Sequence, residues 1–109
     1  MSAPTQAPRA QRLRELFLML HAIMSAEREA NWIRSVSNII AILGEVETDP
    51  DAANNRIDEA HRSYRSMNAG NGSFSDFHIW RENFDERVKA NAELTKVVEA
   101  IWGEFELNA

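Results

Sequence analysis

Three stretches of the chain bring ionisable side chains close enough together to suggest chemistry. Asp58, Glu59 and His61 are all metal-ligand types. On a helix only Asp58 and His61 share a face, at i, i+3. One carboxylate and one imidazole fall short of a zinc ligand set, so a solvated helix face is the simpler reading. Glu82, Asp85 and Glu86 fall at i, i+3 and i+4, a spacing at which two carboxylates can divide acid and base roles inside a dry cleft. Here they open a predicted helix, where the macrodipole favours acids in water. They also suit a docking site for a basic partner. Asp76 and His78 offer an acid and an imidazole with no third group to orient them, which is not a catalytic constellation. The chain therefore reads as non-enzymatic, with no catalytic residue, no metal site and no cofactor expected.

The most unusual local feature is Asn68-Ala69-Gly70-Asn71-Gly72-Ser73 followed by Phe74-Ser75-Asp76-Phe77. Paired glycines and asparagines favour left-handed backbone and tight turns. As a binding loop, Gly70, Gly72, Ser73, Phe74, Asp76 and Phe77 would offer free amides and aromatic rings to a ligand or partner. As a plain connection, Ser75 or Asp76 caps the next helix while Phe74 and Phe77 plug the interior. It is not a phosphate-binding loop, because the Gly-x-x-x-x-Gly-Lys-Ser/Thr pattern is missing. Trp80 stands just beyond, beside His78 and Arg81, and is the tryptophan expected to be exposed. Trp32 and Trp102 fall on apolar stripes and are expected in the core.

The elements that must position these residues are helices. Leu13, Leu16, Phe17, Leu20, Ile23 and Met24 recur at three and four after Pro8, which suits a first helical turn. Leu18 and Met19 fall off that stripe and face either a second buried side or a partner. Ser25 is a candidate cap for a second helix over about 26–43, carrying Trp32, Ile33, Val36, Ile39, Ile40 and Leu43, with Gly44 at the C′ position. Nothing in Ser25–Asn31 is Gly or Pro, so one long kinked helix is equally open. Thr48-Asp49-Pro50 starts a third helix with Ile57, Ala60, Tyr64 and Met67 on one face, running to about Met67. Residues 75–80 are helical or extended, since Phe77 and Ile79 alternate with polar neighbours. A last helix spans about 82–106 with Phe84, Val88, Asn91, Leu94, Val98, Ile101, Trp102 and Phe105 in register. Asn91 thus lies on an apolar stripe, and either sits at its edge in water or is buried and needs partners. The expected partner is the backbone of the Gly70–Ser75 loop, which its amide would pin.

These pieces predict an all-α, single-domain antiparallel bundle of about four helices with one glycine-rich loop before the last. Residues 1–8 read as a disordered tail and 9–107 as the helical domain. At 109 residues there is room for one core, and 44% hydrophobic content is enough to build it. With no cysteine, disulfide scaffolds, thiolate zinc sites and cysteine nucleophiles are excluded. The run Leu16–Leu20 is too short for a signal or a membrane span, so a cytoplasmic location without membrane contact is expected. Net charge is −5, with the acids concentrated after residue 40. That disfavours nucleic acid and favours a basic partner.

The segment Gly70 to Phe77, with Ala90-Asn91-Ala92-Glu93-Leu94 after it, resembles a family of small bacterial helical proteins classed as a domain of unknown function. Members carry a Gly-Gly-Met-Gly-Ser-Phe/Leu-Asn-Asp-Leu loop, an Asn-x-x-Leu helix and an upstream tryptophan, to which Trp32 corresponds. Gly70, Gly72, Ser73, Phe74 and Asp76 match the loop. Asn71, Ser75 and Phe77 depart from it, where Met, Asn and Leu are usual. The resemblance covers about the last third of the chain and implies no activity. Small proteins of this kind often sit in toxin–immunity neighbourhoods. The expectation is accordingly a protein-binding, immunity-type module that neutralises a toxin with a basic surface, docking through Phe74, Phe77, Trp80, Asp85 and Glu86. The alternatives are a homo-oligomer that buries Leu18, Met19 and Trp80 against a second copy, and a small-ligand binder or enzyme built on the 70–80 loop.

Overall fold

The computed structural model describes residues 6–70 and 73–106. Four α-helices account for most of them: α1 (Ala7–Ala26), α2 (Ile33–Gly44), α3 (Ala53–Met67) and α4 (Phe84–Glu106). Three short 3-10 turns, Glu45–Glu47, Pro50–Ala52 and Phe74–Asp76, complete the described secondary structure. Contacts run in opposite senses along each neighbouring pair. His21 meets Ser37 while Arg14 meets Glu47, and Arg9 reaches the far end of α4 at Glu104. His61 stacks on Phe105 while Tyr64 lies against Trp102. The helices therefore close as the expected antiparallel four-helix bundle.

One apolar core unites them. Leu13, Phe17, Leu20 and Met24 of α1 meet Val36, Ile39 and Leu43 of α2, Ile57, Tyr64 and Met67 of α3, and Leu94, Val97, Ile101 and Phe105 of α4. With Ala60 between Ile57 and Tyr64, each set repeats at three and four residues. The stripes read for α1, α2 and α3 supply the buried residues, whereas on α4 the buried line runs through Val97 and leaves Val98 half-buried. Tyr64 is central, with its ring edge-on to Phe17 at 5.1 Å and 4.7 Å from Trp102. Trp32 and Trp102 are half-buried against this core.

Helices α1 and α2 are separate, and the break needs neither glycine nor proline. Arg28 takes a left-handed φ of 56°. Its amide donates to the Ser25 carbonyl, and that of Glu29 to the Met24 carbonyl at 2.9 Å. These are the paired bonds of a Schellman stop, with arginine in the glycine place. The Glu29 carboxylate then accepts from the Asn31 and Trp32 amides at 2.6 and 2.8 Å, satisfying donors at the entry to α2. Ser25 is not the cap of α2. It lies inside α1, with its hydroxyl 3.4 Å from His21 Nδ1.

Other boundaries also differ. Gly44 keeps a helical φ of −65° and leads into the 3-10 turn at Glu45. A Cβ there would stand 3.3 Å from Arg14 Nε, so the glycine admits a crossing side chain and does not end the helix by a left-handed turn. Asp49 and Pro50 start a 3-10 turn, without a side-chain cap bond, and α3 proper follows at Ala53. Ala7 and Pro8 belong to α1 and not to a tail, whereas residues 1–5 and 107–109 lie outside the described residues.

Candidate protein-binding surface

From Ser73 onward the chain crosses the bundle without forming an α-helix until Phe84. Phe74 is buried, 6.3 Å from the Tyr64 ring, and stacks on half-buried Phe77 at 5.6 Å. Ser73 is buried too, its hydroxyl 2.7 Å from that of Ser75. These residues plug the structure and are not displayed for binding. Gly70 is exposed with a φ of +84°, a left-handed position that suits glycine. Gly72 and Asn71 lie outside the described residues.

Phe77 has extended backbone and residues 78–80 belong to no helix, which resolves the ambiguity at 75–80 in favour of a 3-10 turn followed by a non-helical piece. Ile79 is buried and Phe77 half-buried while His78 and Trp80 point outward, the period of two expected of extended chain. Neither Ser75 nor Asp76 caps an α-helix. That role falls to Asn83, whose Oδ1 accepts from the Glu86 amide at 3.0 Å. His78 Nδ1 lies 3.2 Å from the Asp76 carbonyl oxygen, a backbone contact.

Asn91 does hold a backbone segment, but a different one from that expected. Its Oδ1 accepts the Ile79 N–H at 2.7 Å, and its Nδ2 donates to the Ile79 carbonyl at 2.8 Å and to the Arg87 carbonyl at 2.9 Å. One amide thus satisfies both backbone groups of a non-helical residue, as a neighbouring strand would. The bonds reach Ile79 and not Gly70–Ser75, because non-helical chain leaves an inward residue's backbone unpaired. Two residues on, Arg81 donates to both oxygens of Glu27, at 2.7 and 2.5 Å. This hydrogen bonding, and secondarily the guanidinium charge, holds the Glu27 carboxyl below its ordinary pKa against the opposing effect of burial.

Between these two attachments stands Trp80, 66% exposed. Phe84 and Val88 beside it are 65% and 52% exposed. The Arg87 guanidinium lies 4.4 Å from the Trp80 ring centre and 5.4 Å from that of Phe84. Phe84 and Val88 were expected in the core, and the structure places them on the surface. Their periodicity is real, but α4 stays largely exposed up to Lys89, Arg87 alone being half-buried, and its covered part begins at Ala90. Arg87 gives no signal in the sequence, where an arginine between Glu86 and Val88 reads as ordinary helix surface. The Glu27–Arg81 pair spans 54 residues, and nothing local announces it.

Asp85 and Glu86 are exposed as expected, but they do not share this face. A helix turns about 100° per residue, so Glu86 points away from Phe84 while Arg87, Val88 and Asn91 return to its side. The same geometry sets Leu18 and Met19 about 100° apart on α1, and Met19 lines a groove with Leu16, Ile23 and Val97. His61 stacks on Phe105 at 4.6 Å, and burial lowers its pKa, helped by Arg65 and opposed by Asp58. Among the described residues no group of three His, Asp or Glu is placed to hold a metal, and no helix is long and apolar enough to cross a membrane. A cleft of about 150 Å³ touches the 74–77 turn, lined mostly by apolar Phe74, Phe77, Leu94 and Val98.

Compared with known proteins, the chain matches no family model, no curated protein and no solved structure.

Proposed function

We propose that the chain is a non-enzymatic protein-binding module whose working surface is the Trp80, Phe84 and Val88 face. The observation that carries this reading is a two-thirds exposed tryptophan held from both sides. An exposed indole costs solubility, and ordering it by an amide clamp on one neighbour and an ion pair on the other serves presentation. Pre-positioned tryptophan and arginine are the residue types that dominate binding energy at protein interfaces.

In its narrowest form the module is an immunity-type protein that covers the functional surface of a toxin. Two things support that form: the resemblance of the Gly70–Phe77 loop, and a net charge of −5 that draws a basic partner from a distance. Asp85 and Glu86, exposed at the start of α4, steer the approach from beside the aromatic face.

The test is a pull-down from the native host with the wild-type chain, Trp80→Ala and Asp85→Lys/Glu86→Lys in parallel. A specific partner should be retained by the wild type and lost on Trp80→Ala. The double charge reversal should slow association and reduce its salt sensitivity. Equal retention of that partner by Trp80→Ala would remove this surface from consideration.

A further inference from the structure

The aromatic face contains one full charge, and it is positive. Residues 84, 87, 88 and 91 share one side of α4, while Asp85 and Glu86 turn away from it. The Arg87 guanidinium lies over Trp80 and Phe84, 4.4 and 5.4 Å from their ring centres. Its backbone carbonyl accepts from Asn91. Its guanidinium has no carboxylate partner among the described residues, whereas neighbouring Arg81 is fully engaged with Glu27. A guanidinium stacked on rings keeps its N–H edges open, and its planar fork matches the two oxygens of a carboxylate. Stacking also removes much of the rotamer freedom that an arginine normally loses on binding.

We infer that this face takes a partner segment in which an Asp or Glu side chain stands next to a bulky apolar one. The carboxylate docks on Arg87, and the apolar side chain packs on Trp80, Phe84 and Val88. This rests on the protein-binding reading above and adds the chemistry of the contacting residue. It is compatible with a partner that is basic overall: long-range steering follows net charge, whereas this contact is local and desolvated.

Phage-displayed random peptides selected on the full-length chain provide the probe, followed by titration of the synthetic winners. Selected peptides should carry Asp or Glu beside Leu, Phe or Trp and should lose binding to Trp80→Ala. Arg87→Gln should weaken them about tenfold, and Arg87→Lys should recover only part of that, because lysine keeps the charge without the fork. Replacing the peptide acid by its amide should cost a similar factor on the wild type and nothing on Arg87→Gln. Peptides that need Trp80 but show no such coupling, or that are enriched in lysine and arginine, would overturn the Arg87 inference and leave the aromatic face standing. Peptides indifferent to Trp80→Ala, or no selection at all, would overturn the face and the inference together. Circular dichroism of each variant, matched to wild type, assigns the losses to the surface.

Discussion

Tyr64 is the chain's single tyrosine and sits fully buried. Asn68 lies beside it, yet that amide donates to the Tyr64 backbone carbonyl at 2.8 Å, and the hydroxyl has no hydrogen-bond partner among the described residues. An unpaired buried hydroxyl costs about 1–3 kcal/mol. Tyr64→Phe should therefore leave stability unchanged or raise it by up to about 1 kcal/mol, read as an equal or higher melting temperature. Burial pushes the Tyr64 pKa above its ordinary 10.0. The sign follows: the folded chain keeps the proton, so stability is intact below pH 10 and is lost as pH climbs beyond it. Tyrosinate absorbance should thus appear together with unfolding, and a separate titration of the native chain near pH 10 would contradict the burial. Asn91 makes the opposite case. Asn91→Leu leaves the Ile79 amide and carbonyl without partners and should cost about 1–3 kcal/mol. An unchanged melt would dismiss the clamp. A buried-stripe asparagine announced in the sequence that it needed partners, but not which backbone it would meet. That depended on residues 77–80 staying out of a helix, a choice their alternating pattern left open.

At the scale of the element, the sequence displayed helix interiors better than helix ends. Leu13 to Met24 and Leu94 to Phe105 repeat at the helical period because burial imposes that period, and they occupy the core. Ends depend on a few hydrogen bonds, and residues without strong capping preference can make them. Arg28 ends α1 in a glycine's conformation, and Glu29 serves the entry to α2 from outside the usual cap set. Left-handed backbone costs a non-glycine residue about 1–2 kcal/mol. Arg28→Gly should accordingly stabilise the bundle by about 0.5–1 kcal/mol after the extra flexibility of the unfolded chain is subtracted. A lower melting temperature would mean that the Arg28 side chain contributes something beyond its backbone. The start of α4 shows the converse limit. Phe84 and Val88 keep the stripe's period but lie in solvent, since periodicity marks one face without saying where its cover stops. The aromatic surface was legible only as Trp80; Phe84, Val88 and Arg87 joined it once the helix boundary was known.

Across the whole molecule, the titrating groups bound a stability plateau. Burial lowers the His61 pKa below 6.5, so its contribution is present above that value and is lost as pH falls through it. Glu27, held below 4.5 by Arg81, adds a second decline at lower pH. His61→Gln should flatten stability between about pH 7 and 5 while leaving the lower step in place. A decline of undiminished slope would assign it to other groups.

Arg9 has a mechanical consequence. Its guanidinium reaches from the start of α1 to the carbonyls of Glu104 and Phe105 in the last described turn of α4, at 2.7–3.0 Å. Because α1 and α4 run antiparallel, tension applied at those two points peels the helices apart one contact at a time. It does not slide them past each other. The first contacts to take the load are this arginine and, one turn behind it, Arg12 on the Glu104 carboxylate, with Phe105 already seated in the packed interior.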